Sequence, residues 1–443
     1  MRTTTVAVSI IAIALASSLA GAQQRPAIRQ LGAVVAKSTE PLGGVNTIRQ
    51  LPGGRVLVND PQKRRVLLFD PSLGTFTVVA DSTSATANAY SGRMGGLIAY
   101  KADSTIFVDP QSLSMLVLDG NGKVARVMSV PRSQDAMMLA VGGAAFDAAG
   151  RLVYRGPPNF RPPPIGPNGP TAAPDIPDST AVVRIDLTTR KLDTVTFIRT
   201  PKIKMDMNRD DNGGFRMTTQ INPLPVVDDW AVLSDGSIAI VRGKDYHVDF
   251  VNAEGATTSA AKIPFEWQRL TDDDKVAFLD SLKAARARLG ANAPTIGFGG
   301  AGGGLGGGAP QMVIIGGPGG GGGERGGAGG AGGPGNIRIA GPGGAGGNVQ
   351  LNFVPASELP DYKPPFFAGS LRADTEGNLW IRTIPTKAIT GGPVYDVINR
   401  KGELVDRVQI PENRTIVGFG PEGAVYLAAR NDTTVYLEKA KLR

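Results

Sequence analysis

Six segments of the chain repeat one pattern: a small or turn residue, a short strand, a tight polar turn and a second apolar strand. They read "VNTIRQLPGGRVLVND", "GLIAYKADSTIFVDP", "GAAFDAAGRLVYRG", "DWAVLSDGSIAIVRG", "GSLRADTEGNLWIRT" and "IVGFGPEGAVYLAAR", with turns centred on Gly53, Asp103, Ala149, Asp235, Glu376 and Glu422. Turn residues between runs of period two or β-branched character form hairpins, because Gly supplies a positive φ and Asp or Asn tolerates one. A second hairpin follows most of these, as in "VLLFDPSLGTFTVVA", "SMLVLDGNGKVARVMSV" and "YDVINRKGELVDRVQI". Two successive hairpins make a four-stranded antiparallel unit of roughly 40 to 50 residues. The turn centres lie 50, 46, 86, 141 and 46 residues apart, so two of the intervals must carry insertions.

The insertions differ in character. Gly156 to Ser179 is Pro-rich and expected to be an extended loop, and Lys204 to Thr219 is expected to be a polar loop. Over 271–289, Thr271 stands at an N-cap with three aspartates behind it and Gly290 just past the end. Val276, Leu279, Leu282 and Leu289 fall at helical spacing, which predicts a short amphipathic helix packed on the body. Residues 297–348 are almost pure Gly with Ala and Pro, a composition that predicts a disordered Gly-rich loop.

The last unit, ending in "TTVYLEKAKL", lacks a clear fourth strand, while "AIRQLGAVVAK" (27–37) is a strand without a hairpin partner. Joining the two would remove the exposed edges of an open sheet. The predicted fold is therefore all-β, a six-bladed β-propeller over 27–443 in which the N-terminal strand closes the last blade. With turns such as "DTEGNLWIRT" and "FDAAGRLVYRG", the chain resembles exported bacterial six-bladed propellers of the NHL, gluconolactonase and TolB-like group. That resemblance covers almost the whole of 27–443 and implies a fold more than an activity. Gluconolactonase-like members imply a divalent ion such as Ca²⁺ at the channel mouth, for which Asp60, Asp109, Asn222 and Asp228 could supply oxygens. The corresponding alternative function is a metal-dependent hydrolase or lactonase.

Residues 1–22 have one basic residue, an apolar run and small residues at Ala20 and Ala22. This layout predicts a signal peptide cleaved near Ala22 and a periplasmic or extracellular product. No later apolar run is long enough for a transmembrane helix, and the absence of cysteine leaves packing and ladder hydrogen bonds to hold the fold. The 47 basic and 39 acidic residues give a net charge of +8 without a basic stripe, which argues against nucleic acid and slightly favours anionic ligands. A monomer is expected.

At the ends of the second strands the repeat alignment places Asn59 and Asp60, Asp109, Arg155, Arg242, Arg382 and Arg430. From that set, Asp60, Asp109, Arg155, Arg242 and Arg382, with Asp245, form the candidate ligand-binding residues. Arginine forks would grip a carboxylate, sulfate or phosphate, though strand ends are also simply where charged residues reach water. The single histidine, His247, alternates with Asp245 and Asp249 on what reads as a third strand, too far from the channel for catalysis. One histidine cannot serve the multi-histidine lyases, and no Gly-x-Ser-x-Gly elbow accompanies it. Trp230, Trp267 and Trp380 suit core packing better than a sugar platform. The favoured function is thus a propeller scaffold that binds a protein partner or an anionic small molecule through its mouth and loops, with no catalysis assigned.

Overall fold

The computed structural model describes residues 25–442 apart from 290–335, 340–346 and short stretches at 87–88, 142, 159–163, 167–168, 171, 210–214, 388 and 432–433. The expected signal peptide and most of the Gly-rich tract therefore lie outside the described residues. Among those described, the chain is mostly β, and no helix is long and apolar enough to cross a membrane.

Consecutive four-stranded antiparallel sheets follow one another along the chain. The first comprises Ile48–Gln50, Val56–Asp60, Arg65–Phe69 and Phe76–Asp81, in spatial order. The second runs Gly96–Ala99, Thr105–Asp109, Ser114–Leu118 and Val124–Ser129. In the third, Ala145–Phe146 and Leu152–Arg155 are followed by Ser179–Ile185 and Leu192–Arg199. The fourth contains Asp229–Val232, Ile238–Arg242, His247–Val251 and Thr257–Ser259. Phe366–Ala373, Leu379–Thr383, Val394–Ile398 and Leu404–Gln409 make the fifth, and Arg414–Gly420, Ala424–Asn431 and Thr434–Lys441 begin the sixth.

The second strands explain how the sheets stack. Because side chains alternate across a strand, Leu57 enters a cluster with Phe107 and Leu116 of the second sheet, while Val56 and Val58 pack with Tyr426 and Leu437 of the sixth. Ile106 and Val108 meet Leu152 and Tyr154 of the third sheet, and Val153 meets Ile238 and Ile240 of the fourth. Val241 packs with Ile381 of the fifth sheet, and Trp380 with Val425 and Leu427 of the sixth. Both faces of these strands are buried, which is why they read as continuous apolar runs rather than as alternating ones. The outermost strands, Val124–Ser129 and Thr257–Ser259, face water. Shared side-chain clusters thus stack these sheets side by side, in the manner of a β-propeller.

The N-terminal segment departs from expectation. It is two strands, not one: Ile28–Gln30 adds a parallel fifth strand to the fifth sheet, and only Val34–Lys37 completes the sixth, antiparallel to Thr434–Lys441. Between them Leu31 is buried in the cluster joining those two sheets, so its burial divides the segment.

The expected polar loop at 204–219 is instead a hairpin, Ile203–Arg209 with Phe215–Ile221, carried by the alternation of Ile203, Met205 and Met207 with Lys204, Asp206 and Asn208. Asn336–Ile339 and Gly347–Phe353, at the end of the Gly-rich region, join it as an accessory sheet through parallel pairing of Met217–Ile221 with Val349–Phe353. Within the Pro-rich insertion, Ile165–Gly166 pairs with Gly169–Pro170. The inserted helix spans Asp272–Leu289, and Thr271 and Asp274 exchange cap hydrogen bonds at its start. Its packed face holds Leu279 and Lys275 while Val276 is exposed, because Lys275 turns inward to Asp361 at 2.7 Å.

Candidate functional site at the channel mouth

In an antiparallel four-stranded meander the second strand ends on the side where the first begins and the fourth finishes. The residues named from the repeat, and the connections between sheets, therefore share one side of the molecule. The first strand of the first sheet meets those of the second and sixth, that of the second meets that of the third, and that of the fourth meets that of the fifth.

Asp60 and Asp109 are fully buried and act on the connections themselves. Gly43 and Gly44 donate backbone N–H groups to the two Asp60 oxygens at 3.1 Å each, Lys63 donates its own at 3.3 Å, and Arg65 Nε donates at 3.1 Å. Asp109 accepts from the Ser91 N–H at 3.1 Å and Oγ at 2.5 Å, the Gln111 N–H at 3.2 Å and Ser112 Oγ at 2.7 Å. These carboxylates staple an inter-sheet connection to a strand end. Asp60 and Asp109 were expected to face a ligand; their described hydrogen bonds all go to groups of the chain itself.

Arg242 is likewise occupied. Its Nε donates to Asp249 at 2.7 Å and its Nη1 to Asp228 at 2.9 Å. Asp228 also accepts the N–H groups of Arg199 at 3.0 Å and Gly243 at 3.2 Å. His247 lies between Asp245, 2.7 Å from Nδ1, and Asp249, 3.2 Å from Nε2, and Ser259 Oγ donates to Asp249 at 2.5 Å. Burial alone would raise the Asp249 pKa, but the hydrogen bonds from Ser259 and Arg242 outweigh it and hold it below the ordinary carboxylate range. Burial would also lower Arg242, and Asp249 and Asp228 more than reverse that. The Asp245, His247, Asp249 run is thus part of a hydrogen-bonded ion-pair network on the fourth sheet. Among the described residues no three His, Cys, Asp or Glu converge so as to hold a metal ion.

One residue along the chain the situation reverses. Asp229 opens the innermost strand of the fourth sheet, and its oxygens accept the N–H of Trp230 at 3.0 Å and that of Leu371, on the innermost strand of the fifth sheet, at 2.9 Å. A register shift between Phe366 and Leu371, with Gly369 at φ 78°, turns the Leu371 N–H toward it. Burial pushes the Asp229 pKa up to about 6, with the two N–H donors and then Arg372 and Arg155 pulling the other way.

Arg155, ending the second strand of the third sheet, is depressed by burial, and Asp229 is the carboxylate whose charge opposes that. Its one described hydrogen bond is to Met138 Sδ at 3.8 Å. Arg372 Nη1 donates to the carbonyls of Gly369 at 3.1 Å and Leu371 at 2.7 Å. Arg382 pairs across the ladder with Tyr395; burial raises the Tyr395 pKa, and the charges of Arg382 and Arg372 both oppose that rise.

Among the described residues, none of the three arginines has a carboxylate oxygen within the 4.0 Å of an ion pair. Elsewhere Arg65, Arg151, Arg407 and Arg414 all do. Asp229 and the three arginines retain partial solvent exposure, although burial dominates the titration of Asp229 and Arg155.

Arg155 and Arg382 were named from their places in the repeat, whereas Asp229 and Arg372 were not. The missed signal is the Asp228-Asp229 pair at a strand start, where alternation sends the two carboxylates toward opposite faces of the sheet. Of the tryptophans, Trp230 and Trp380 are buried, and Trp267 is 38 % exposed, edge-on to Phe265 and Tyr362.

No family model matches the chain, and no curated protein matches it. Among solved structures it is similar to a gluconolactonase from Xanthomonas campestris, at 10% identity over 93% of this chain and 99% of that one, with a TM-score of 0.39. It is similar also to a calcium-binding regucalcin from Agrobacterium tumefaciens, at 10% identity, 94% and 98% coverage and a TM-score of 0.39. A virginiamycin B lyase from Staphylococcus aureus gives 11% identity, 94% and 99% coverage and a TM-score of 0.35. The class these likenesses accompany is the propeller type already evident in the stacked sheets. They carry nothing about the site.

Proposed function

We propose that the chain is an exported, monomeric six-bladed β-propeller that binds an anionic small molecule, or an acidic group of a partner, at its channel mouth. The observation that carries this reading is that Arg155, Arg372 and Arg382, all partly exposed, have no carboxylate oxygen within ion-pair distance among the described residues. Guanidinium groups without counter-ions attract a carboxylate, sulfate or phosphate, and planar forks suit all three. The same unpaired positive charge repels a divalent cation, so a binding module is favoured over a metal-dependent hydrolase at this position.

Calorimetric titration of the full chain with sulfate, phosphate and succinate tests the reading. At least one should bind with an affinity that falls as salt is raised, and Arg155→Ala combined with Arg382→Ala should weaken it by about tenfold or more. Failure of all three to bind at low salt would remove the proposal.

A further inference from the structure

The connection from the second sheet to the third contains the short helix Ala136–Val141, which buries Ala136, Leu139, Ala140 and Val141 and leaves Met137 and Met138 partly exposed. Two successive residues at the end of the second strand of the third sheet reach this helix. Tyr154 donates its hydroxyl to Asp135, just ahead of the helix, at 2.6 Å, and Arg155 Nη2 lies 3.8 Å from Met138 Sδ. On the other side Gly96 of the second sheet abuts the Ala140 carbonyl, so closely that a Cβ there would sit 2.2 Å from its oxygen. The sulfur and the guanidinium are thus held together by the fold rather than by their own contact, because a thioether is only a weak acceptor. With no cysteine in the sequence, methionine is the oxidisable sulfur of this chain. Met94, Met128 and Met137 pack against the same cluster, but among the described residues Met138 is the methionine to which an arginine donates.

We infer that Met138 is a reversible oxidation site whose sulfoxide takes Arg155 as its hydrogen-bond donor; resting on the anion-binding reading above, the consequence is weaker anion binding in the oxidised chain. The oxidant is a peroxide. The sulfur lone pair attacks one peroxide oxygen, and an S–O bond forms as the O–O bond breaks. The released hydroxide takes the proton of the transferred oxygen and leaves as water, so that sulfur loses two electrons and the peroxide gains them. A sulfoxide oxygen is a far stronger acceptor than the thioether it replaces, and it forms beside a guanidinium already in contact. The N–H groups it holds are withdrawn from a ligand. Reduction by a methionine sulfoxide reductase oxidises two thiols to a disulfide, releases the oxygen as water and restores the thioether.

The test treats the full chain with hydrogen peroxide and maps the added oxygen by peptide mass, which should place it on Met138. Sulfate affinity measured by calorimetry should then fall about fivefold, as expected for one competing hydrogen bond. It should recover after treatment with the reductase, and peroxide should leave it unchanged in Met138→Leu, which keeps the packing volume. A second readout needs no ligand: oxidation should lower the melting temperature more in Arg155→Ala than in the parent, because there the sulfoxide has lost its donor. Met138 left unmodified while other methionines take up oxygen would overturn the site, and equal falls in melting temperature would overturn the Arg155 contact. Unchanged affinity after full conversion, or a fall that Met138→Leu shares, would overturn the consequence for binding. Absence of sulfate binding before oxidation would strike the anion-binding reading alone, and a larger fall in Arg155→Ala would still support the oxidation site.

Discussion

Asp228 and Asp229 are neighbours in sequence, and each lies near arginines, yet the two regions they belong to are in opposite states. Asp228 and Asp249 grip Arg242 at 2.9 and 2.7 Å, and His247 and Ser259 take up further Asp249 contacts. Asp229, by contrast, is within the field of Arg155 and Arg372 without a direct ion pair to either among the described residues. Residue types alone do not distinguish a stabilising network from a ligand site. What distinguishes them is whether the hydrogen-bonding capacity is used up. A saturated network contributes to holding the fold, whereas a partly enclosed surplus of one sign costs stability that only a ligand or a proton can restore.

The largest expected effect is in the pH dependence of stability, and it separates the two carboxylates by sign. The Asp229 pKa is raised from 3.8 to about 6, so the folded state binds more protons than the unfolded one across that window. Its contribution to stability therefore falls as pH rises from about 4 to 6, by an upper limit of about 3 kcal/mol, and stays lost above. Asp249 is lowered, so its contribution is present above its unfolded value and lost as pH falls. Denaturant unfolding of the parent and of Asp229→Asn from pH 4 to 7 should show the parent losing ground steadily; parallel curves would refute the assignment.

Next in size, Arg242→Ala strands Asp228 and Asp249, and should destabilise by about 2 kcal/mol, discounted for the partial exposure of the pair. Sulfate affinity should be unchanged. A loss of affinity comparable to that of Arg155→Ala would erase the distinction between the two regions.

The sheets were legible because each hairpin carries its turn chemistry locally, as in "DTEGNLWIRT", and because runs such as "RVLVND" have to be buried on both faces. The accessory sheet was not. Its strands come from 203–221 and 336–353, and the parallel pairing of Met217 with Val349 has no local signature. The site was half legible for the same reason. Arg155 and Arg382 follow from their places in the repeat, but what surrounds them depends on strands from the third, fourth and fifth sheets. Asp60 and Asp109 were located correctly at strand ends, while their partners Gly43, Gly44 and Ser91 belong to connections outside the repeat.

Arg155→Ala should invert the Arg242 result. Sulfate binding should weaken about tenfold, equivalent to about 1.4 kcal/mol, while the melting temperature holds or rises, because the charge removed is desolvated and has no ion-pair partner. A fall in melting temperature matching that of Arg242→Ala would show that Arg155 is structural after all.

The smallest effect decides what Asp109 does. As a clamp it holds the connection between the first two sheets through Ser91 and its own turn through Gln111 and Ser112, and all of these contacts are internal to the fold. Asp109→Asn keeps the shape but replaces one acceptor oxygen by a donor amide that faces other donors, which should cost about 1 kcal/mol. Its sulfate affinity and salt dependence should match the parent, since the carboxylate is fully buried and spends its oxygens on the chain. If Asp109 instead balanced the arginines across the mouth, removing its charge would tighten anion binding and leave stability nearly untouched. Measuring both quantities on this one variant therefore separates a strand-end aspartate that shapes the mouth from one that belongs to it.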